Sequence, residues 1–137
     1  MKLGAPRLVL FVDDLYFRVR LTDLAERLGL EVSDPAAIPD DGGPVLAVVD
    51  LAGKAELWSR AVADLKARLG PRLTVLGFGP HRDVGLFQQA RATGFDHVWA
   101  KPKLVSDLQD FLNRLAKRRD PADANFRDDP SGPDGDL

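Results

Sequence analysis

Val45-Leu-Ala-Val-Val-Asp50 is a continuous apolar run that stops on a carboxylate, and Arg7-Leu-Val-Leu-Phe-Val-Asp-Asp14 has the same form. An uninterrupted run of five apolar residues is the pattern of a strand buried on both faces, which is the usual state of strands in parallel sheets. The pattern recurs outward from these two runs. Residues 73–78 and 96–100 read as further buried strands, and a short one falls near 30–33. Between them the apolar period changes to that of a helix. Phe17, Leu21, Leu24 and Leu28 form one stripe, closed by Gly29. Trp58, Ala61, Val62, Leu65 and Leu69 form another, closed by Gly70-Pro71. A third helix runs from about Asp83 to Ala92 before Gly94. The last is expected to begin at Ser106, with Gln109 at capping-box spacing and a stripe of Leu108, Phe111, Leu112 and Leu115. The segment from Asp34 to Pro44 holds three prolines and two glycines, which leaves little room for a regular helix. Trp58 and Phe87 lie on helix stripes and read as core.

Five buried strands separated by helix-length segments imply an α/β fold in three layers. A parallel sheet lies in the middle, with right-handed crossovers and helices on both faces. Ligands in such sheets bind at the carboxyl ends of the strands. That edge would carry Asp13, Asp14, Asp50, Gly77-Phe-Gly79 and Lys101. Three carboxylates in one crevice repel unless a cation sits among them, and an all-oxygen cluster suits Mg²⁺. Lys101 would place its ammonium over an anion at the same edge. Aspartates after strands also cap the helices that follow, so Asp13 or Asp14 would serve equally well at the start of the first helix.

Composition narrows the field. The 137 residues suit one domain and contain no cysteine, which excludes disulfides, thiol nucleophiles and cysteine-based metal sites. Two histidines, His81 and His97, do not make a multi-histidine metal centre. The formal charge of −2 is unevenly spread: residues 120–137 carry six aspartates against Arg127, which leaves residues 1–119 at +3. A folded body over 1–119 and an acidic, disordered tail over 120–137 are expected. No apolar run approaches the roughly 20 residues of a membrane span, no secretory signal core is present, and no extended basic stripe suits nucleic acid. A cytoplasmic protein is expected.

The order and spacing of these pieces resemble the receiver domain of bacterial two-component response regulators, a flavodoxin-like fold with strand order 2-1-3-4-5. The resemblance covers residues 7–117. It rests on Leu10-Phe-Val-Asp-Asp14, on Val45 to Asp50, on Ala92-Thr-Gly-Phe-Asp-His-Val-Trp-Ala-Lys-Pro102, and on the closing amphipathic helix. It implies that Asp50 is the phosphoacceptor. Asp13, Asp14 and Asp50 would hold Mg²⁺ with the Ala52 backbone carbonyl, and Lys101 would pair with the phosphoryl group.

Four features depart from the receiver pattern. Gly77 stands where receivers place a serine or threonine. Val98 occupies the place of the switch aromatic, and Trp99, one residue on, should face the other side of its strand. Leu51-Ala-Gly-Lys54 replaces the usual Met-Pro. The receiver's second helix is shortened or absent within residues 34–44. Gly77-Phe-Gly-Pro-His81 reads either as a substitute anion loop using Gly77, Gly79 and His81, or as an ordinary glycine–proline turn.

The resulting expectation is a stand-alone, atypical receiver-like signalling domain, phosphorylated on Asp50 and acting through a protein partner. That partner would be a histidine kinase or a downstream signalling protein. A constitutive pseudo-receiver without phosphotransfer is the alternative, and a small Mg²⁺-dependent phosphohydrolase the third reading. Partner docking or homodimerisation is expected on the face that receivers build from their fourth helix, fifth strand and fifth helix, around Phe87, Lys103 and Leu104.

Overall fold

The computed structural model describes residues 5–80 and 83–117, with side chains described as far as Arg114. His81, Arg82 and the segment 120–137 lie outside the described residues. The strands are β1 (Arg7–Phe11), β2 (Glu31–Val32), β3 (Val45–Asp50), β4 (Leu73–Gly79) and β5 (His97–Ala100). The helices are α1 (Leu15–Arg27), α2 (Ala55–Leu69), α3 (Val84–Thr93) and α4 (Lys101–Lys117). The strands form one sheet of order β2-β1-β3-β4-β5, parallel throughout, as the apolar runs require.

Alternation along the strands divides the core in two. Leu8, Leu10, Leu46, Val48, Leu76, Phe78 and Trp99 face one way and are covered by Phe17, Leu21 and Ala25 of α1 and by Leu104, Leu108, Phe111 and Leu112 of α4. Val9, Val45, Ala47, Val49, Val75 and Val98 face the other way, under Trp58, Val62 and Leu65 of α2 and Phe87 and Ala90 of α3. Each central strand is therefore apolar on both faces, which is why periodicity along them is absent.

The receiver's second helix is missing. Between β2 and β3 the chain makes a single 3-10 turn, Pro35–Ala37, capped by the Asp34 carboxylate, which accepts from Ala36 N at 2.8 Å. Arginines hold the rest of this strap. Arg72 donates to Gly43 O at 2.8 Å and Pro39 O at 3.1 Å, and Arg68 donates to Pro35 O at 3.1 Å. Arg7, buried in β1, pairs with Glu31 at 2.6 Å and with buried Asp41 at 3.6 Å. Ile38 packs against the second core from the strap. Polar ties to backbone carbonyls thus replace the apolar face that a helix would have supplied.

One helix boundary differs from expectation. α4 begins at Lys101, five residues before Ser106, and Ser106 Oγ donates to Lys103 O instead of capping. Pro102 in the first turn forfeits no helical hydrogen bond, and fully buried Leu104 extends the apolar stripe back one turn. The α3 boundaries follow their signals: Asp83 accepts from Leu86 N at 3.0 Å, and Gly94 takes the left-handed conformation at φ 106°.

Candidate functional site

Parallel register fixes which residues meet at the carboxyl edge. Phe11 pairs with Val49, and Asp50 with Phe78. The chain leaving β1 therefore sets Asp13 next to Asp50. The two aspartates line one cleft of about 170 Å³ with Phe11, Gly53, Lys54, Leu57 and Trp58. It is a shallow acidic notch with one lysine on its rim and apolar walls.

Asp50 is held from within its own loop. Its Oδ1 accepts from Ala52 N at 2.9 Å, and Gly53 N donates to Asp50 O at 3.3 Å. This local turn orients the carboxylate. Ala52 thus engages Asp50 through its amide.

Asp14 has a different task. Its Oδ1 accepts from Phe17 N at 3.0 Å, so it caps α1 and satisfies one of the donors left open at a helix start. The expected trio of carboxylates reduces to the pair Asp13 and Asp50. Among the described residues no three histidine or acidic side chains gather closely enough to hold a metal ion. Mg²⁺ typically takes one or two carboxylates with water completing its shell, a donor type that Asp13 and Asp50 offer in this cleft, whereas Asp14 Oδ1 is engaged at the α1 cap.

Lys101 does not line the acidic cleft. Its Nζ lies 5.3 Å from the centroid of the Phe17 ring, on the side of the sheet covered by α1.

Gly77 and Gly79 are buried within β4, and neither has a positive φ. A Cβ on Gly77 would stand 2.7 Å from Cδ2 and Cε2 of Phe95 and 3.2 Å from Cδ1 of Leu51. One on Gly79 would meet Phe87 Cε1 at 3.2 Å. These glycines make room for aromatic rings in the core instead of opening a loop to an anion. His81, the third member of the expected anion loop, lies outside the described residues. Phe95 is itself fixed, edge-on to Trp58 with ring centroids 5.3 Å apart. Its role was hidden in the sequence: Phe95 is eighteen positions from Gly77, and only the crossover through α3 brings them together.

Val98 and Trp99 face opposite sides of β5, as strand alternation requires. Val98 lies in the core under α2 and α3, and Trp99 lies against Phe111 of α4 at 5.3 Å between centroids. Two of the residues around which the docking face was expected are core residues, and the third is half-buried. Phe87 and Leu104 are fully buried, and Lys103 lies over Trp99 at 5.0 Å with its Nζ 2.7 Å from Asp107. Helix stripes pointing into the sheet account for all three. Among the described residues the exposed large apolar side chains are Leu15, Tyr16, Val19, Leu57, Val84 and Val105, distributed over all four helices.

Together the parallel sheet, its strand order and the helices around it define a receiver-like flavodoxin fold. No protein-family profile matches the chain, and no curated protein matches it by sequence. Solved structures match over nearly their whole length. A response regulator receiver domain from Clostridium thermocellum is 19% identical with TM-score 0.62, covering 84% of this chain and 96% of that one. A pilus assembly-related protein from Burkholderia pseudomallei is also 19% identical, with TM-score 0.57, covering 88% and 98%. The pilus assembly protein CpaE from Caulobacter crescentus is 16% identical with TM-score 0.55, covering 82% and 96%. Among the described residues no helix is long and apolar enough to cross a membrane.

Proposed function

We propose that this chain is a receiver-fold signalling module that acts by binding other proteins and does not use the phosphorylation-driven switch of ordinary receivers. The observation that carries this reading is the packing at Gly77. The Phe95 ring and Leu51 occupy the space that a serine or threonine side chain needs there. Without that hydroxyl, β4 has no donor to draw toward a phosphoryl group. With Val98 buried where the switch aromatic belongs, β5 has no side chain to rearrange in response. Similar folds occur both in response regulators and in proteins named for pilus assembly, which supports a role carried by contacts with protein partners.

A second reading is favoured by one observation, the shared cleft of Asp13 and Asp50. There Asp50 would accept a phosphoryl group, with Asp13 and Asp50 as the Mg²⁺ carboxylates. When bound, Mg²⁺ would supply neutralisation of the crowded oxygens. Lys54, on the cleft rim, is placed to balance anionic charge, whereas Lys101 faces Phe17.

Adding Mg²⁺ with beryllofluoride or acetyl phosphate, followed by backbone NMR and intact mass, tests the first reading. It expects no adduct and no shifts reaching Trp99 or α3. An adduct abolished by Asp50→Asn, with shifts spreading through β4 and β5, would replace it with the second. Turnover of an aryl phosphate would overturn both in favour of a phosphohydrolase.

A further inference from the structure

α1 and α4 cover the same face of the sheet but leave a groove of about 200 Å³ between them. Its floor is Phe17, Leu21, Leu104 and Leu108, and its rim holds Arg20, Asp23, Arg27, Val105 and Gln109. Drug-sized ligands occupy pockets of roughly 300–1,000 Å³, so this groove takes about one large side chain. Val105 is 55% exposed at its edge, an apolar residue facing water on an otherwise polar rim.

We infer that the occupant is the chain's own acidic C-terminal segment, seated through Phe126. Three observations select it. The first is reach. The described part of α4 runs to Lys117, and from Val105 to that point the helix rises about 18 Å at 1.5 Å per residue. The nine residues from Lys117 to Phe126 span up to about 30 Å when extended, enough to return along the groove. The second is composition. Phe126 is the one aromatic residue after Phe111, in a segment otherwise dominated by Asp, Pro, Gly, Ala and Ser. The third is charge. Phe126 is followed by Arg127-Asp128-Asp129, and the rim offers the complementary set Asp23, Arg20 and Arg27. Arg27 is tied to Asp23 at 2.9 Å, whereas the Arg20 guanidinium lies over the Tyr16 ring at 5.9 Å and pairs with no carboxylate among the described residues. The segment as a whole is −5 against a body at +3.

Docking in this way covers the α1–α4 face, so an external protein using that face must displace the segment. The acidic segment is then a built-in competitor for one surface of the module, independent of chemistry at Asp50.

The absence of cysteine permits a clean test. A nitroxide is placed on a single introduced cysteine, Ala124→Cys, in the full chain, and amide peak intensities are compared with the reduced label. Docking expects selective intensity loss at residues 20–27 and 104–109, abolished by Phe126→Ala, retained by Phe126→Leu, and reduced at 1 M salt, where the screening length falls to about 3 Å. Three outcomes overturn it: no selective loss in the groove; a loss indifferent to Phe126→Ala, which reports tethering alone; or a loss seen only between labelled and ¹⁵N-enriched molecules, which assigns the groove to a second copy.

Discussion

Replacing Gly77 with alanine should destabilise the protein, although the same change at an unstrained extended position usually stabilises. The usual gain, about 0.4–1 kcal/mol, comes from the restricted unfolded chain. Here the new methyl would stand 2.7 Å from two carbons of the Phe95 ring and 3.2 Å from Leu51. Overpacking of that order costs about 1–3 kcal/mol, so the net expectation is about 1–2 kcal/mol of destabilisation. Phe95 has little room to yield, because the residue is only 7% exposed and its ring meets Trp58 edge-on. Phe95→Ala alone removes a buried aromatic and should cost about 3–5 kcal/mol. In the double variant the alanine methyl falls into the vacated space. The two losses should then fail to add, by at least about 1 kcal/mol, within the range of coupling between touching residues. Urea denaturation followed by tryptophan fluorescence supplies the four free energies; the midpoint should fall while the slope stays constant. Additive losses, or a Gly77→Ala protein as stable as the parent, would refute the claim that Phe95 occupies the hydroxyl position. The proposal that the module works without a phosphorylation switch would then lose its main support.

Other consequences follow from the same geometry. Asp14→Ala removes the α1 cap and should cost about 0.5–2 kcal/mol, while Asp14→Ser retains most of the stability, as read by thermal melting. Arg7→Ala removes one of the two arginines that face buried Asp41, leaving Arg72 at 3.4 Å, and should cost less than the roughly 3–5 kcal/mol of a fully broken buried pair, with faster hydrogen exchange across residues 34–44. Asp50→Asn keeps an oxygen for Ala52 N and should change stability by no more than about 0.5 kcal/mol in chemical denaturation.

What could be read from the sequence follows the range of the forces involved. The strands were legible because a residue buried on both faces must be apolar, whatever its neighbours, and the register then placed Asp13 and Asp50 together. Caps depending on three or four adjacent residues, such as Asp83 and Gly94, were legible for the same reason. Asp14 was ambiguous, since a carboxylate after a strand suits a cap or a cation equally until the helix start is fixed. Lys101-Pro102 read as the end of a strand, although proline fits a helix's first turn, and the start of α4 was misplaced. Which side chains of the face around Phe87, Lys103 and Leu104 reach solvent was not legible, because helix rotation about its axis, set by the sheet, decides which stripe is hidden. The arginine ties of the strap join residues about thirty positions apart, and nothing local announces them.

The two edges of the sheet differ in what substitution costs them, and that asymmetry accounts for a receiver-like architecture without a complete receiver edge. At the amino edge Arg7 and the Asp41 carboxylate are buried in one network, in which Arg72 also pairs with Asp41 and clamps two carbonyls of the strap. A change there is felt by the whole fold. At the carboxyl edge Asp13 and Lys101 are exposed and Asp50 is half-buried in its own turn, so their replacement leaves no buried group unpaired. Stability therefore constrains the strap and scarcely touches the acids. Gly77 is the exception at that edge. It lies in the core, and with Phe95 filling the space beside it, a hydroxyl side chain placed there costs folding energy. Adding the missing hydroxyl and aromatic as surface changes would not rebuild the relay; Phe95 and its partner Trp58 would have to be repacked at the same time.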